Sequence, residues 1–214
     1  MKSSAIEETC KALAIPPTGV KPDGSPHYTL PAIIDRTKAE SPVHISDSRP
    51  IIEYLEKTYP ARGSQSSELF PKHAESFQSL FMDFVMPKLM VIAPDLVVKA
   101  LYRSKTLDEQ LPFLHRMERL HGKPFDELEK QGEERIAVYR SLEQSLTSLK
   151  TTLDQSEGEF LTGNQVIFSD LVLAAWLIWL RWLSPDDIWP RIAVWNDGRW
   201  VQYVRNFEQW MSVE

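Results

Sequence analysis

Residues 27–60, HYTLPAIIDRTKAESPVHISDSRPIIEYLEKTYP, constrain the fold of this chain more than any other stretch. Tyr28-Thr29-Leu30 and then Ala32-Ile33-Ile34 are β-branched or apolar. They are bounded by the turn-prone KPDGSP before and DRTKAESP after, which predicts a strand. Val43-His44-Ile45 alternates like a half-buried partner strand. Ser46, Asp47 and Ser48 offer helix-capping side chains just ahead of Pro50, whose missing N–H suits a first helical turn. Ile51, Ile52, Leu55 and Tyr59 keep one face of that helix apolar, and Pro60 ends it.

Two details give this stretch chemistry. Pro31 interrupts the strand, so Leu30 is held extended with its backbone groups free on an edge, where a peptide-like ligand pairs as an added strand. The start of the following helix points N–H groups and a positive dipole end outward, which favours a carboxylate. Together they suit a short anionic peptide. For Asp47 and Ser48 a plain helix cap is the competing explanation.

TLPAIID followed by ISDSRPIIEYLEKTYP, with CKALAIPPTGVKPDGSPHYTLP running into it, resembles the glutathione-site half of the thioredoxin-like domain of glutathione S-transferases. The wider stretch is most similar to fungal transferases of the etherase-related group. The resemblance covers nearly the whole chain and implies glutathione as co-substrate. It implies a cis peptide before Pro31, Leu30 backbone groups bonding the cysteinyl part of glutathione, and Asp47 and Ser48 binding its γ-glutamyl end. His27 and Tyr28 lie beside that edge, and Met82, Met86 and Tyr102 correspond by position to the lining of the electrophile pocket. The bland alternatives are a solvated His and a turn-flanking aromatic for the first two, and interdomain core for the other three.

The fold implied is a thioredoxin-like α/β domain over residues 1–60, a linker over 61–70 and an all-helical domain over 71–214. The family's first domain opens with a β-α-β unit before the helix that matches residues 6–13, and such a unit takes roughly 30 residues. Only five residues precede Ile6 here, so the resemblance implies an N-terminally truncated domain. No residue of this sequence matches the Ser, Tyr or Cys that activates the thiol in the family, and the catalytic residue stays unknown. The implied activity is conjugation or transfer of glutathione on hydrophobic aromatic electrophiles. The rival is a non-catalytic ligand carrier or protein-interaction module.

Composition bounds the alternatives. The 24 basic and 30 acidic residues leave a net charge of −6, which argues against nucleic acid or an anionic membrane as partner. One cysteine, Cys10, excludes an internal disulfide; it is expected to be a small buried apolar residue. The five histidines are scattered, and no metal-ligand spacing appears. The acids in MKSSAIEETCKALAI break the apolar core a signal peptide needs, so the expected location is cytoplasmic. A homodimer is expected from the resemblance alone.

Along the rest of the chain, residues 6–13 predict a short helix and PPTGVKPDGSP a loop. Phe77, Leu80, Phe81, Phe84 and Val85 form an amphipathic stripe that Pro87 is expected to kink or end. Helices are expected over 91–102 and 125–153, with no firm element in RSKTLDEQLPFLHRMERLHGKPF between them. The apolar run 166–183 carries Asp170 and Arg181 and predicts a buried helix rather than a membrane span. A final helix is expected over 199–211. In GNQVIFSDLVLAAWL, transferases place a capping Ser or Thr three residues before the Asp. Asp170 stands as expected but Ile167 holds the capping position, leaving Asn164 or Ser169 as the expected substitutes.

Overall fold

A computed structural model describes residues 5–21, 23–37, 40–60, 68–90, 92–155 and 158–211. The chain divides into two compact units, Met1–Leu69 and Phe70–Glu214. The linker expected over 61–70 falls mostly on residues 61–67, which lie outside the described residues.

The first unit is organised by the hairpin expected around Pro31. β3 (Ala32–Asp35) pairs antiparallel with β4 (Val43–Ser46), in a register that sets Ala32 opposite Ser46 and Asp35 opposite Val43. Helix α1 (Ile6–Ala12) precedes it, and α2 (Ser48–Thr58) follows β4 directly. The segment after α1 is tied to β4 by two side chains: His44 Nδ1 lies 2.7 Å from the Leu13 carbonyl, and Ser46 Oγ donates to the Pro16 carbonyl at 2.7 Å. Cys10, Ile15 and Ile51 form the small buried set, with Cys10 only 2% exposed.

Two expectations need correcting here. Tyr28, Thr29 and Leu30 are not strand; the ladder begins only at Ala32, past the proline that has no N–H to give it. The supposed loop also carries a short hairpin, β1 (Gly19–Val20) against β2 (Pro26–His27). Gly24, at φ 83°, takes the left-handed conformation in the turn closed by the Lys21 N–H on the Ser25 carbonyl.

The described elements of the second unit are helical apart from one isolated bridge. Pro87 neither breaks nor ends its helix. α3 (Glu75–Leu80) passes through a π-helical turn, Phe81–Val85, into α4 (Met86–Met90). A proline ring in an α-helix clashes with the carbonyl four residues earlier. That carbonyl belongs here to Asp83, inside the wider π turn. A second π turn, Ala93–Val97, leads into α5 (Val98–Arg103).

The segment expected to hold no firm element is a fifteen-residue helix, α6 (Leu107–His121). Gly122 ends it at φ 64°, its N–H bonded to the Glu118 carbonyl at 2.8 Å. The long helix starts later than expected. Phe125–Glu127 is a 3₁₀ turn and α7 runs over Gly132–Gln155. Then come α8 (Phe168–Leu183), an unanticipated α9 (Ile188–Val194) and α10 (Arg199–Arg205). The tail expected as one helix to Met211 breaks after Arg205 and resumes as a 3₁₀ turn, Glu208–Trp210.

The core of this unit is built from Leu142, Leu146 and Leu153 of α7, Leu173, Leu177 and Leu180 of α8, and Trp200 and Tyr203 of α10. No helix among the described residues is long and apolar enough to cross a membrane.

Candidate functional site

The β3–β4 hairpin brings Leu30-Pro31 and Asp47-Ser48 together. The Leu30–Pro31 peptide is cis. One step beyond the Ala32–Ser46 pair, the Asp47 N–H donates to the Pro31 carbonyl at 3.1 Å, so the two segments sit side by side at the same end of the hairpin. Leu30 is solvent-exposed, and neither its N–H nor its C=O has a backbone partner among the described residues.

Asp47 adopts φ 77° and ψ 139°, a region nearly closed to residues with a Cβ. Such a conformation costs about 1–3 kcal/mol and persists only where surrounding bonds impose it. Here the Asp47 N–H is held by Pro31, while its carbonyl accepts the Ile51 N–H at 3.1 Å and starts α2. The Asp47 side chain makes no capping hydrogen bond to that helix. Ser48 Oγ turns to Asp47 Oδ1 at 3.4 Å. Ser48 opens the first turn, and Pro50 carries no N–H. An exposed backbone segment without backbone partners therefore lies next to a helix N-terminus that the Asp47 side chain does not cap, a combination suited to a peptide backbone and a carboxylate.

The other sequence-derived candidates are more dispersed. His27 is exposed on β2, its carbonyl accepting from Thr18 N at 2.8 Å and Thr18 Oγ1 at 3.0 Å. Tyr28 is half-buried, with Lys11 Nζ 5.7 Å from its ring centroid. Lys11 also bonds Glu7, and with Lys21 it holds that carboxyl down at about 2. In the second unit Met86 is part of the main core and Met82 packs against it. Tyr102 instead joins a separate small cluster, its ring 5.3 Å from Phe125.

Sequence reasoning missed a polar cluster at the far end of the same hairpin. The Asp35 carboxylate, closing β3, accepts from Tyr54 Oη at 2.5 Å, Tyr59 Oη at 2.6 Å, and the Thr37 N–H and Oγ1 at 2.8 Å each. The Tyr54 hydroxyl first, then Tyr59 and Thr37, hold this carboxyl well below the usual carboxylate range. Both tyrosines are pushed up in turn, Asp35 being the main cause. The partners are separated by 19 and 24 positions, so no local pattern links them.

In the second unit the N-cap of α8, Ile167, has no side-chain acceptor for the first helical N–H groups, and neither Asn164 nor Ser169 supplies one. Gln78 of α3, 1% exposed, does so from a distance: its Oε1 accepts the Ser169 N–H at 3.2 Å. Asp170 accepts from the Leu161 and Ile167 N–H groups at 2.8 and 3.0 Å and from Tyr203 Oη at 2.6 Å. Burial nevertheless pushes its carboxyl up. Among the described residues no cluster of His, Cys, Asp or Glu is arranged to hold a metal ion.

The glutathione S-transferase C-terminal domain family matches residues 76–210. Glutathione transferase GSTFuA3 from Phanerochaete chrysosporium is 31% identical, with a TM-score of 0.84 over 100% of this chain and 83% of that one. CsGST63524 of Ceriporiopsis subvermispora, solved in complex with glutathione, is 25% identical, with a TM-score of 0.84 over 100% of this chain and 84% of that one. CsGST83044 of the same fungus, also in complex with glutathione, is 26% identical, with a TM-score of 0.83 over 98% and 83%. No curated protein matches the chain. Its thioredoxin-like first unit and all-helical second unit accord with these likenesses, and the chain belongs to the glutathione S-transferase family.

Proposed function

We propose that the chain binds glutathione at the Leu30–Ser48 end of the β3–β4 hairpin. The Leu30 backbone pairs with the cysteinyl residue as a short added strand, beside the cis Leu30–Pro31 peptide. Ser48 and the first turn of α2 take the γ-glutamyl carboxylate, while Asp47 faces its ammonium group. The observation that carries this reading is Asp47: it pays for a strained backbone without using its side chain to cap α2, which argues against a plain helix cap. The glutathione-bound state of CsGST63524 supports the choice of ligand. Titration calorimetry with reduced glutathione on the wild-type chain and S48A tests it. Binding that is weakened in S48A supports the reading, and equal affinity in both refutes it.

The reaction proposed for that bound thiol is conjugation to, or cleavage of, a hydrophobic aromatic electrophile, with His27 and Tyr28 as the candidate contacts in the first unit. A non-catalytic ligand carrier is the second reading. It is favoured by Cys10, the single cysteine of the sequence, which at 2% exposure does not reach a ligand. Turnover of glutathione with a model electrophile separates the two. A homodimer is proposed as well, supported by the exposed apolar side chains of Leu80 in α3, Phe84 in the π turn and Met90 in α4. Light scattering on the full chain tests it: a mass of one chain refutes the dimer.

A further inference from the structure

The Asp35 cluster has a geometric relation to the proposed glutathione site. β3 starts next to Pro31 and ends at Asp35, while α2 starts at Ser48 and carries Tyr54 and Tyr59 toward its other end. β4 returns antiparallel to β3, so α2 leaves the site in the same direction as β3. One end of this strand–helix pair is the proposed ligand end. The other is closed by Asp35 with two tyrosine hydroxyls and Thr37.

The distances are short. Asp35 lies about 13 Å along the strand from Pro31, and Tyr54 about 9 Å along the helix from Ser48. The hydrophobic hold on α2 is slight: of its described side chains only Ile51 is fully buried, and a second polar tether is the Leu69 N–H donating to Glu56 Oε1. A lightly packed helix joined to β4 without a loop residue beyond Asp47 pivots about that joint unless its other end is held.

We infer that Asp35 is a positioning residue: by clasping Tyr54 and Tyr59 it sets the angle of α2, and so the placement of Ser48 against the Leu30 backbone. Asp35 touches no part of the ligand. A pivot of α2 leaves both halves of the site intact but moves the carboxylate-binding end away from the strand-like end. The γ-glutamyl-cysteinyl part of glutathione, gripped at both ends, senses that separation. The inference rests on the proposed glutathione reading.

The test is calorimetric titration of reduced glutathione into the full wild-type chain, D35A, D35N and Y54F/Y59F, each at a temperature where circular dichroism shows it folded. D35A and Y54F/Y59F are expected to bind about tenfold more weakly, the scale on which a loosened site loses function. D35N keeps one acceptor oxygen for the tyrosines and should recover part of the loss. A cluster that only stabilises the fold would lower the melting temperature and leave the affinity of the folded variants unchanged, and that result overturns the inference. Should D35A not fold, Y59F alone removes one of the donors, and wild-type affinity in Y59F is the overturning result. Failure of the wild-type chain to bind glutathione is a different outcome, which overturns the glutathione reading and this inference together.

Discussion

Gln78 and Ser169, 91 positions apart, share the hydrogen bond that opens helix α8: Gln78 Oε1 accepts the Ser169 N–H at 3.2 Å. A helix begins with N–H groups that have no partner in the helix itself, and a Ser or Thr at the cap ordinarily satisfies one of them. Ile167 offers no acceptor, and a side chain from α3 takes over. The central helix of the second unit therefore completes its N-terminus only when α3 is docked.

Removing that acceptor leaves a buried N–H unpaired, so Q78A should lower stability by about 1–3 kcal/mol. A local cap restored by I167T should make the second change cheaper, with a coupling of about 1 kcal/mol in a double-mutant cycle. All seven tryptophans lie between Trp176 and Trp210, so urea unfolding followed by tryptophan fluorescence reports on this unit alone. Additive effects in the cycle would refute the long-range cap.

Gly158 is required by close approach. A Cβ at this position would lie 2.2 Å from the Gly163 carbonyl carbon, across the turn whose Phe160–Gly163 bridge presents the Leu161 N–H to Asp170. G158A forces the turn apart and should cost about 2 kcal/mol or more, within the range for overpacked sites. The urea midpoint checks this, and a midpoint equal to wild type contradicts it.

Acid should weaken the second unit partly through Asp187. Burial by itself raises its carboxyl. Arg135 at 2.6 Å and the Tyr139 hydroxyl at 2.7 Å outweigh burial and hold it below its ordinary value. A carboxyl lowered in the folded chain contributes stability above its unfolded value of about 3.9, and loses that contribution as pH falls through the folded value. D187N should be less stable than wild type at pH 7 and should lose less on acidification. Tryptophan-monitored melting from pH 7 to pH 3 measures both. Parallel curves for the two proteins would exclude the linkage.

Ser48 separates binding from stability. It carries no capping bond, so S48A should change the unfolding free energy by no more than about 0.5 kcal/mol. Glutathione affinity should fall by roughly 1.5–3 kcal/mol if Ser48 holds a carboxylate. A large loss of stability in S48A, measured by thermal melting, would assign Ser48 to the fold instead.

The residues around Pro31 show what was determined locally. Alternation over 43–45, apolar positions over 32–34 and the Asp47-Ser48-Arg49-Pro50 start are each governed by neighbours within a few residues, and β3, β4 and α2 appear where those signals lie. The buried run ending at Leu183 is equally local, because one helix face accounts for its leucines. Helix α6 escaped because its hydrophobic pattern is interrupted by Pro112 and many charges, and its burial rests on a small cluster of Val98, Met117, Phe125 and Leu128 drawn from three segments. The π turn before Pro87 is a packing solution that propensity does not encode.

The family resemblance carried by residues 10–60 named the candidate ligand end of the hairpin, and a short-range signal was enough because Leu30, Pro31, Asp47 and Ser48 are joined by a single hairpin. The strain at Asp47, the Asp35 clasp on Tyr54 and Tyr59, and the Gln78 cap of α8 were decided only in three dimensions. Each is a hydrogen-bond account settled between distant segments. Sequence determines which donors and acceptors exist and which stretches bury them; the tertiary arrangement decides which of them meet, because an unpaired buried group is costly whatever its position in the chain.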